Sequence, residues 1–439
     1  MDQLDEAYGH FNAGRLEDAD TSLQFLLVDA PEHAEAWHLL GIVRFRQGRN
    51  DEACELLQRA AELPGATPEM QNNLGAVLNA AGRLDDAVAA FERALVDRPD
   101  YPDALNNLGV AYRDLRKFDA AVAAFRRAIE LRPDYAQAKS NLRNAYHDVV
   151  PAWHFAMQDD EKRNSAFDAA IRRSVAGRRV LDIGTGAGLL AMMAARAGAA
   201  HVTSCETIGI VAERARQIIA ANGFADKITV IAKPSTELIM GVDVKQPAEV
   251  LITETFASGV VGEGILNTLE HAHANLLTPN AAVIPQAASV MGYLAGGGRL
   301  AGLLFAGRVA GFDLSAFNDF APSRLPVSLN GVAHHAMSAD TEFARFDFRQ
   351  RQFPMASIPA NMDATLTGPC AGVVQWMRLE LDAETRYENR PTLDTEFCGH
   401  WTHTLHRFPQ LVQVRAGESV PVMFRHDRAQ ITLSLIESP

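Results

Sequence analysis

A chain in three parts, a helical repeat array, then an α/β unit with a parallel sheet, then a β-rich domain, is predicted by three observations. Glycines recur every 34 residues in the first third, at Gly41, Gly75 and Gly109. A strand, a glycine-bearing turn and a helix follow one another over residues 179–198, and beyond Pro285 helical periodicity gives way to short alternating runs. The 439 residues exceed one typical core. A net charge of -13 disfavours nucleic acid as the main partner and suits basic proteins or peptides. The acidic start, Met1-Asp-Gln-Leu-Asp-Glu6, lacks a charged-then-apolar pattern, and no apolar run reaches eighteen residues, so a cytoplasmic protein away from membranes is expected. Cys54, Cys205, Cys370 and Cys398 lack Cys-x-x-Cys spacing and fit reduced thiols.

In residues 1–148 each period glycine follows a leucine, and small residues keep step at Ala19, Ala53, Ala87 and Ala121 and again at Ala60, Ala94 and Ala128. Paired helices that cross closely need such positions. Gly14, Gly48 and Gly82 mark turns between helices, with Arg116 in the fourth place. The segment resembles the tetratricopeptide repeats, about four units and a final helix near Ala136 to Tyr146. Asn72, Asn73, Asn106, Asn107 and Asn141 recur near one helical position. They either meet a bound peptide backbone or lie on a solvated helix face.

In residues 149–285, Arg179-Val-Leu-Asp-Ile-Gly184 reads as a buried strand that opens into Gly186 and Gly188 before a helix, which places a ligand over a helix N-terminus. Leucine at 189 weakens a nicotinamide fingerprint, and no Gly-Lys-Ser/Thr supports a P-loop. A second strand ends at Glu206, 22 residues after Gly184, where an acid can accept both hydroxyls of a ribose. As a set, Val180-Leu-Asp182-Ile-Gly-Thr-Gly-Ala-Gly188 with Glu206 resembles the S-adenosylmethionine-dependent methyltransferases. The resemblance implies a Rossmann-like domain, a cofactor methionine end at the glycine turn, and an adenine side at Ser235 and Thr236.

A fourth strand, Glu249 to Thr253, opens into a loop carrying Glu254 and Glu263 with Gly259, Gly262 and Gly264. Loops at this end of an open α/β sheet bind ligands. Taken alone, two loop acids are more often solvated than functional. If they converge, one carboxyl pKa rises and the site prefers a cation. With Trp153-His-Phe-Ala-Met157-Gln-Asp-Asp160-Glu-Lys-Arg163 upstream, the loop is similar to the paired glutamates of the protein arginine methyltransferases. The resemblance implies Met157 beside the substrate arginine, Asp160 paired with a loop histidine, and Arg163 on the cofactor carboxylate. The family's aromatic lid has only Tyr146 and Trp153 as loose counterparts.

Residues 286–439 suggest a β-barrel or sandwich from runs such as Gly372 to Leu381 and Gln430 to Leu435. The family has a barrel here, entered through a proline that is often cis, a place Pro285 takes. Gly399-His400-Trp401 is similar to its Thr-His-Trp loop, His400 acting as base or only shaping the pocket. His400, His403 and His406, three apart on a strand, do not share a face, so no metal is expected. Phe312, Leu314, Phe317 and Phe320 interrupt the strand pattern, as a helical arm for dimer contacts over residues 302–327 or an ordinary packed helix.

Repeats, cofactor domain and barrel in this order resemble the repeat-bearing branch of the arginine methyltransferases. The branch carries two catalytic modules; this chain carries one, so a homodimer through residues 302–327 is expected. The expected reaction moves a methyl group from S-adenosylmethionine to a guanidinium nitrogen of arginine in a protein or peptide, with the repeats recruiting substrate or partner. A methyltransferase for another nucleophile and a non-catalytic repeat scaffold are the competing readings.

Overall fold

The computed structural model describes residues 3–150, 153–256, 259–327, 334–391 and 401–436. They fall into two compact units, Met1–Pro151 and Ala152–Pro439. The first is a run of antiparallel helix pairs: α1 (Gln3–Asn12) with α2 (Leu16–Asp29), α3 (Ala34–Arg46) with α4 (Asn50–Glu62), α5 (Pro68–Ala80) with α6 (Leu84–Asp97), α7 (Pro102–Asp114) with α8 (Phe118–Leu131), then α9 (Ala136–Val149). The period glycines sit where a pair touches. A Cβ at Gly75 would lie 2.6 Å from the Phe91 ring, and at Gly109 2.5 Å from the Phe125 ring. Both rings are fully buried, so neither can retreat.

Between the helices of a pair, Gly14, Gly48 and Gly82 take φ of +74°, +80° and +76°, and Arg116 takes the same left-handed turn at +59°. The five asparagines tie successive repeats together. Asn107 donates to Asn72 at 3.0 Å and Asn141 to Asn106 at 2.9 Å, while Asn73 lies 2.9 Å from Nε2 of His38.

In the second unit, α10 (Trp153–Gln158) and α11 (Glu161–Ser174) lead into a parallel sheet: β1 (Arg179–Ile183), α12 (Leu189–Arg196), β2 (His201–Cys205), α13 (Gly209–Ala221), β3 (Ile228–Ile231), β4 (Ala248–Thr253), α14 (Ile265–Asn275) and β5 (Leu277–Ile284). Spatial order is β3-β2-β1-β4-β5. The order reverses between β1 and β4, which places their C-terminal loops side by side. Leu181, Val202, Val250, Leu251 and Ile252 bury both faces of these strands, as a covered parallel sheet requires.

The Ile284–Pro285 peptide is cis. Beyond it the strands are antiparallel. β6 (Ala287–Gly296) is buried throughout and is followed by α15 (Gly298–Leu304), β7 (Arg308–Val309), β8 (Phe312–Asp313), β9 (Arg324–Val327), β10 (His335–Ala336), β11 (Thr341–Asp347) and β12 (Ala356–Asp363). Then come β13 (Gly368–Glu380), β14 (Arg386–Glu388), β15 (His403–Val414), β16 (Ser419–His426) and β17 (Ile431–Leu435). One sheet is organised on β6, β13 and β15, and a smaller one runs β12-β16-β17. One hydrophobic core runs from the parallel sheet into this β-rich region, from Leu181 and Ile252 to Phe348 and Phe424.

Residues 302–327 are not one helix. After α15, Gly311 at φ +88° turns the β7–β8 hairpin, and a 3₁₀ turn follows at Ser315–Phe320. Nor are they an ordinary packed segment, because Phe312, Phe317 and Phe320 are 72%, 70% and 81% exposed. No helix among the described residues is long and apolar enough to cross a membrane.

Replacing Gly75 by Val should lower the unfolding free energy of the full chain by about 1–3 kcal/mol, the usual cost of overpacking. Adding Phe91→Leu should recover part of that loss in thermal melts. Additive losses would mean that the Gly75–Phe91 contact is not the cause.

Candidate functional site

The cofactor-type turn is built by backbone. Gly184, Gly186 and Gly188 have φ of +89°, +51° and +85°, left-handed values that only glycine adopts freely. The N–H groups of Gly184 and Thr185 both donate to the carbonyl of Cys205, which closes the turn against β2. At Gly186 a Cβ would meet nothing within 4 Å, so that face of the turn is open. Gly188 caps α12 and presents its N-terminus. Glu206 is held at the rim by two backbone donors, Gly186 N–H to one carboxylate oxygen and Ile208 N–H to the other, each at 3.1 Å. Ser235 and Thr236 begin the 3₁₀ turn after β3, Ser235 buried and Thr236 exposed.

Beneath the turn lies Asp182, 1% exposed. Ser204 donates to one of its oxygens at 2.6 Å and lies 2.5 Å from the Thr185 hydroxyl. The other oxygen has no hydrogen-bond partner among the described residues. Burial above all, with Glu206 adding to it, pushes this carboxyl up to about 7.

The acidic loop packs directly on the turn: a Cβ at Gly184 would lie 2.4 Å from the Thr255 methyl. Thr253 donates to the carbonyl of Ile183, joining the ends of β4 and β1. From this junction Glu254 meets Arg163, whose Nε donates to Oε1 at 2.7 Å while Nη2 pairs with Oε2. The two side chains are 3% and 6% exposed. Arg163 also stacks over Phe167. Burial pulls Arg163 down to about 10, with Asp160 opposing, which leaves it charged at neutral pH.

Asp160 caps α11. One oxygen accepts the N–H of Arg163 at 2.9 Å, and the other accepts the Tyr387 hydroxyl at 2.7 Å. Tyr387 packs on Trp401, and Trp401 stacks on Phe256 with ring centres 5.8 Å apart. Asn389 fixes Trp401 by donating to its carbonyl at 3.4 Å. Asp160, Arg163, Glu254 and Trp401 are thus joined in one network. Tyr387 and Asn389 complete it and were missed in the sequence, because a lone Tyr and Asn in a short alternating run carry no motif.

Met157, half-buried in α10, precedes Asp160, which it contacts through its carbonyl. Glu263 closes the loop's far end, with φ +60° in a left-handed conformation unusual outside glycine. Although the residue is exposed overall, partial burial of its carboxyl raises it above the usual range. Among the described residues Glu263 has no ion pair. His400 lies outside the described residues. His403 and His406, on opposite faces of β15, bond to the carbonyl of Asn389 and to Gln375 respectively.

Asp182 sets a pH dependence. Its folded pKa exceeds its ordinary 3.8, so the folded state holds a proton that the unfolded chain releases, and stability falls as pH rises toward about 7. Asp182→Asn should therefore gain roughly 2 kcal/mol relative to the parent between about pH 5.5 and pH 8.5 in denaturant titrations. An unchanged difference would contradict the buried neutral carboxyl.

Comparison with known proteins places each part. Residues 4–69 and 66–134 match tetratricopeptide repeat models, residues 166–284 that of ribosomal protein L11 methyltransferase, and residues 303–434 the arginine methyltransferase oligomerization subdomain. An arginine N(omega)-methyltransferase of Streptomyces achromogenes subsp. streptozoticus is 37% identical over 273 residues, 62% of this chain and 75% of that one. Protein arginine N-methyltransferase 7 of Drosophila grimshawi is 31% identical over 288 residues, and this chain spans only 39% of its length. In fold, the chain is similar to the Trypanosoma brucei PRMT1 enzyme-prozyme complex with AdoHcy, at 22% identity and TM-score 0.55, covering 64% of this chain and 89% of that one. It is also similar to Arabidopsis thaliana protein arginine methyltransferase 10, at 16% identity and TM-score 0.52, covering 62% and 86%. With the parallel sheet, the glycine turn and the acidic loop in the expected order, the chain belongs to the arginine methyltransferase family, in a form that carries tetratricopeptide repeats.

Proposed function

We propose that this chain transfers a methyl group from S-adenosylmethionine to a guanidinium nitrogen of arginine, with Glu254 and Glu263 as the guanidinium clamp. The observation that carries this reading is the seat Glu254 gives to Arg163: a carboxylate out of water, receiving a guanidinium through both oxygens. A substrate arginine presents the same planar fork.

The residues present fit the cofactor. Gly184, Gly186 and Gly188 would take its methionine end, Glu206 its ribose hydroxyls, and Ser235 and Thr236 its adenine side, with Asp182 supporting the turn from below. Arg163 would take its carboxylate. When bound, the cofactor supplies an electrophilic methyl group on a sulfonium.

The protein's own work is binding and orientation. Guanidinium stays protonated, with its lone pairs delocalised. Hydrogen bonds to Glu254 and Glu263 would draw positive charge toward the two bonded nitrogens and leave the third with its lone pair toward the methyl carbon. As that nitrogen bonds the methyl carbon the methyl–sulfur bond would break, leaving a neutral thioether, and the methylated nitrogen would give up its proton to solvent. The acids also offset the repulsion between two cations in one pocket. Phe256, Trp401 and Met157 would wall the site, and His400 would act as a base or only shape the pocket.

Two further assignments accompany the reaction. The exposed Phe312, Phe317 and Phe320 form the contact of a homodimer, since an apolar surface of this kind is costly to leave in water. The repeats recruit a protein substrate or partner in the cytoplasm, where the buried free thiols of Cys54, Cys205 and Cys370 stay reduced.

Glu254→Gln should lower methyl transfer to an arginine-rich peptide by at least about 100-fold, the scale of a lost charge stabiliser. Full retention would sink the clamp. In sedimentation velocity the parent should run as a dimer, and Phe317→Asp with Phe320→Asp as a monomer. A monomeric parent would refute the arm's role.

A further inference from the structure

Gln375 lies in β13 at 1% exposure, with its Oε1 2.7 Å from Nε2 of His406. The backbone N–H of Leu433 donates to Nδ1 of the same ring at 3.1 Å. A neutral imidazole has one donor and one acceptor nitrogen. Since Nδ1 accepts, the proton sits on Nε2 and is donated to Gln375. Deep burial, with Arg324 nearby, keeps this ring neutral by pushing its pKa down to about 3.

The orientation of the Gln375 amide follows. Its oxygen must face His406, so its NH2 faces away, and that nitrogen has no hydrogen-bond partner among the described residues. It is aimed at Gly259, a buried residue of the acidic loop between Glu254 and Glu263. A Cβ built on Gly259 would lie 3.5 Å from Nε2 of Gln375 and 3.7 Å from Nη2 of Arg324. An amide NH2 and a guanidinium therefore converge on one point of the loop. A buried donor left unmet is costly, and this one is held in place by a histidine that cannot turn it over.

We propose that Gln375 and Arg324 form a donor-lined subsite for the C1 oxygen of the substrate arginine. The oxygen belongs to the carboxylate of free arginine or to the main-chain carbonyl of a peptide arginine. The inference rests on the methyl-transfer reading above and adds the recognition of the substrate's other end. Arginine is cationic at one end and offers acceptor oxygens at the other. An acidic loop and a donor patch on β13 and β9 facing that loop would read both ends.

The test is calorimetric titration of the full chain, with S-adenosylhomocysteine present, against L-arginine, agmatine and a capped Gly-Arg-Gly peptide. Agmatine keeps the guanidino chain but lacks C1. Gln375→Leu should weaken arginine, the peptide or both by about tenfold, the usual worth of such a bond, while agmatine changes by less than about twofold. The ligand that loses affinity identifies the source of the oxygen. Gln375→Glu, nearly isosteric and still able to accept from His406, should reject free arginine at least as strongly and guards against a misfolded leucine variant. Equal losses for agmatine and arginine, no loss for arginine or peptide, or no binding of any of the three by the parent would overturn the subsite. Methyl transfer by the parent is assayed separately on the same three compounds. Binding that discriminates as expected without transfer would defeat the reaction and leave the subsite standing.

Discussion

Arg163 and Glu254 meet almost wholly out of water, and the geometry of the catalytic unit follows from keeping them there. Burying two charges costs several kcal/mol per ion unless each finds close partners. Here the partners come from distant parts of the chain. Asp160 fixes the backbone of Arg163 and is itself fixed by Tyr387, 227 residues away. Phe167 covers the guanidinium face. Helix α11, the loop after β4 and the short strand β14 are therefore locked to one another by a single polar network.

The same pair has a functional meaning. Arg163 is the residue assigned to a ligand carboxylate and Glu254 the one assigned to a ligand guanidinium, and in the structure each satisfies the other. A ligand for either must replace a buried partner of matching charge and shape. Such a site rejects groups that cannot make two parallel hydrogen bonds, since they would leave a buried charge unpaired.

Much of the architecture was legible in the sequence because it rests on local chemistry. The 34-residue glycine period reflects rings such as Phe91 and Phe125, which leave no room for a side chain opposite. The turn at residues 184–188 is legible for the same reason: its left-handed backbone angles favour glycine. The site was legible only as parts. That Arg163 would sit on Glu254, that Tyr387 would hold Asp160, and that successive asparagines would bond one another depends on long-range packing, which no spacing encodes. The spacing of Phe312, Leu314, Phe317 and Phe320 suggests a helix, whereas Ala310 and Gly311 turn the chain into a hairpin and leave the three phenylalanines in water. The expected rise of one acid's pKa is present at Glu263, but its cause is burial rather than repulsion by the other acid.

The strand β15 shows how three-residue spacing separates roles. His403 and His406 face opposite sides, and each serves its own face, one supporting the Asn389 that holds Trp401, the other orienting Gln375 toward the acidic loop. Both act as fixed neutral donors, which suits a region whose task is to shape a pocket. The central claim is that the nucleophile is a guanidino nitrogen. It is tested most directly by incubating the chain with isotopically labelled S-adenosylmethionine and an arginine-bearing substrate, then locating the label by fragmentation mass spectrometry. Label on a guanidino nitrogen of arginine is the predicted result; label on lysine or any other group would contradict it.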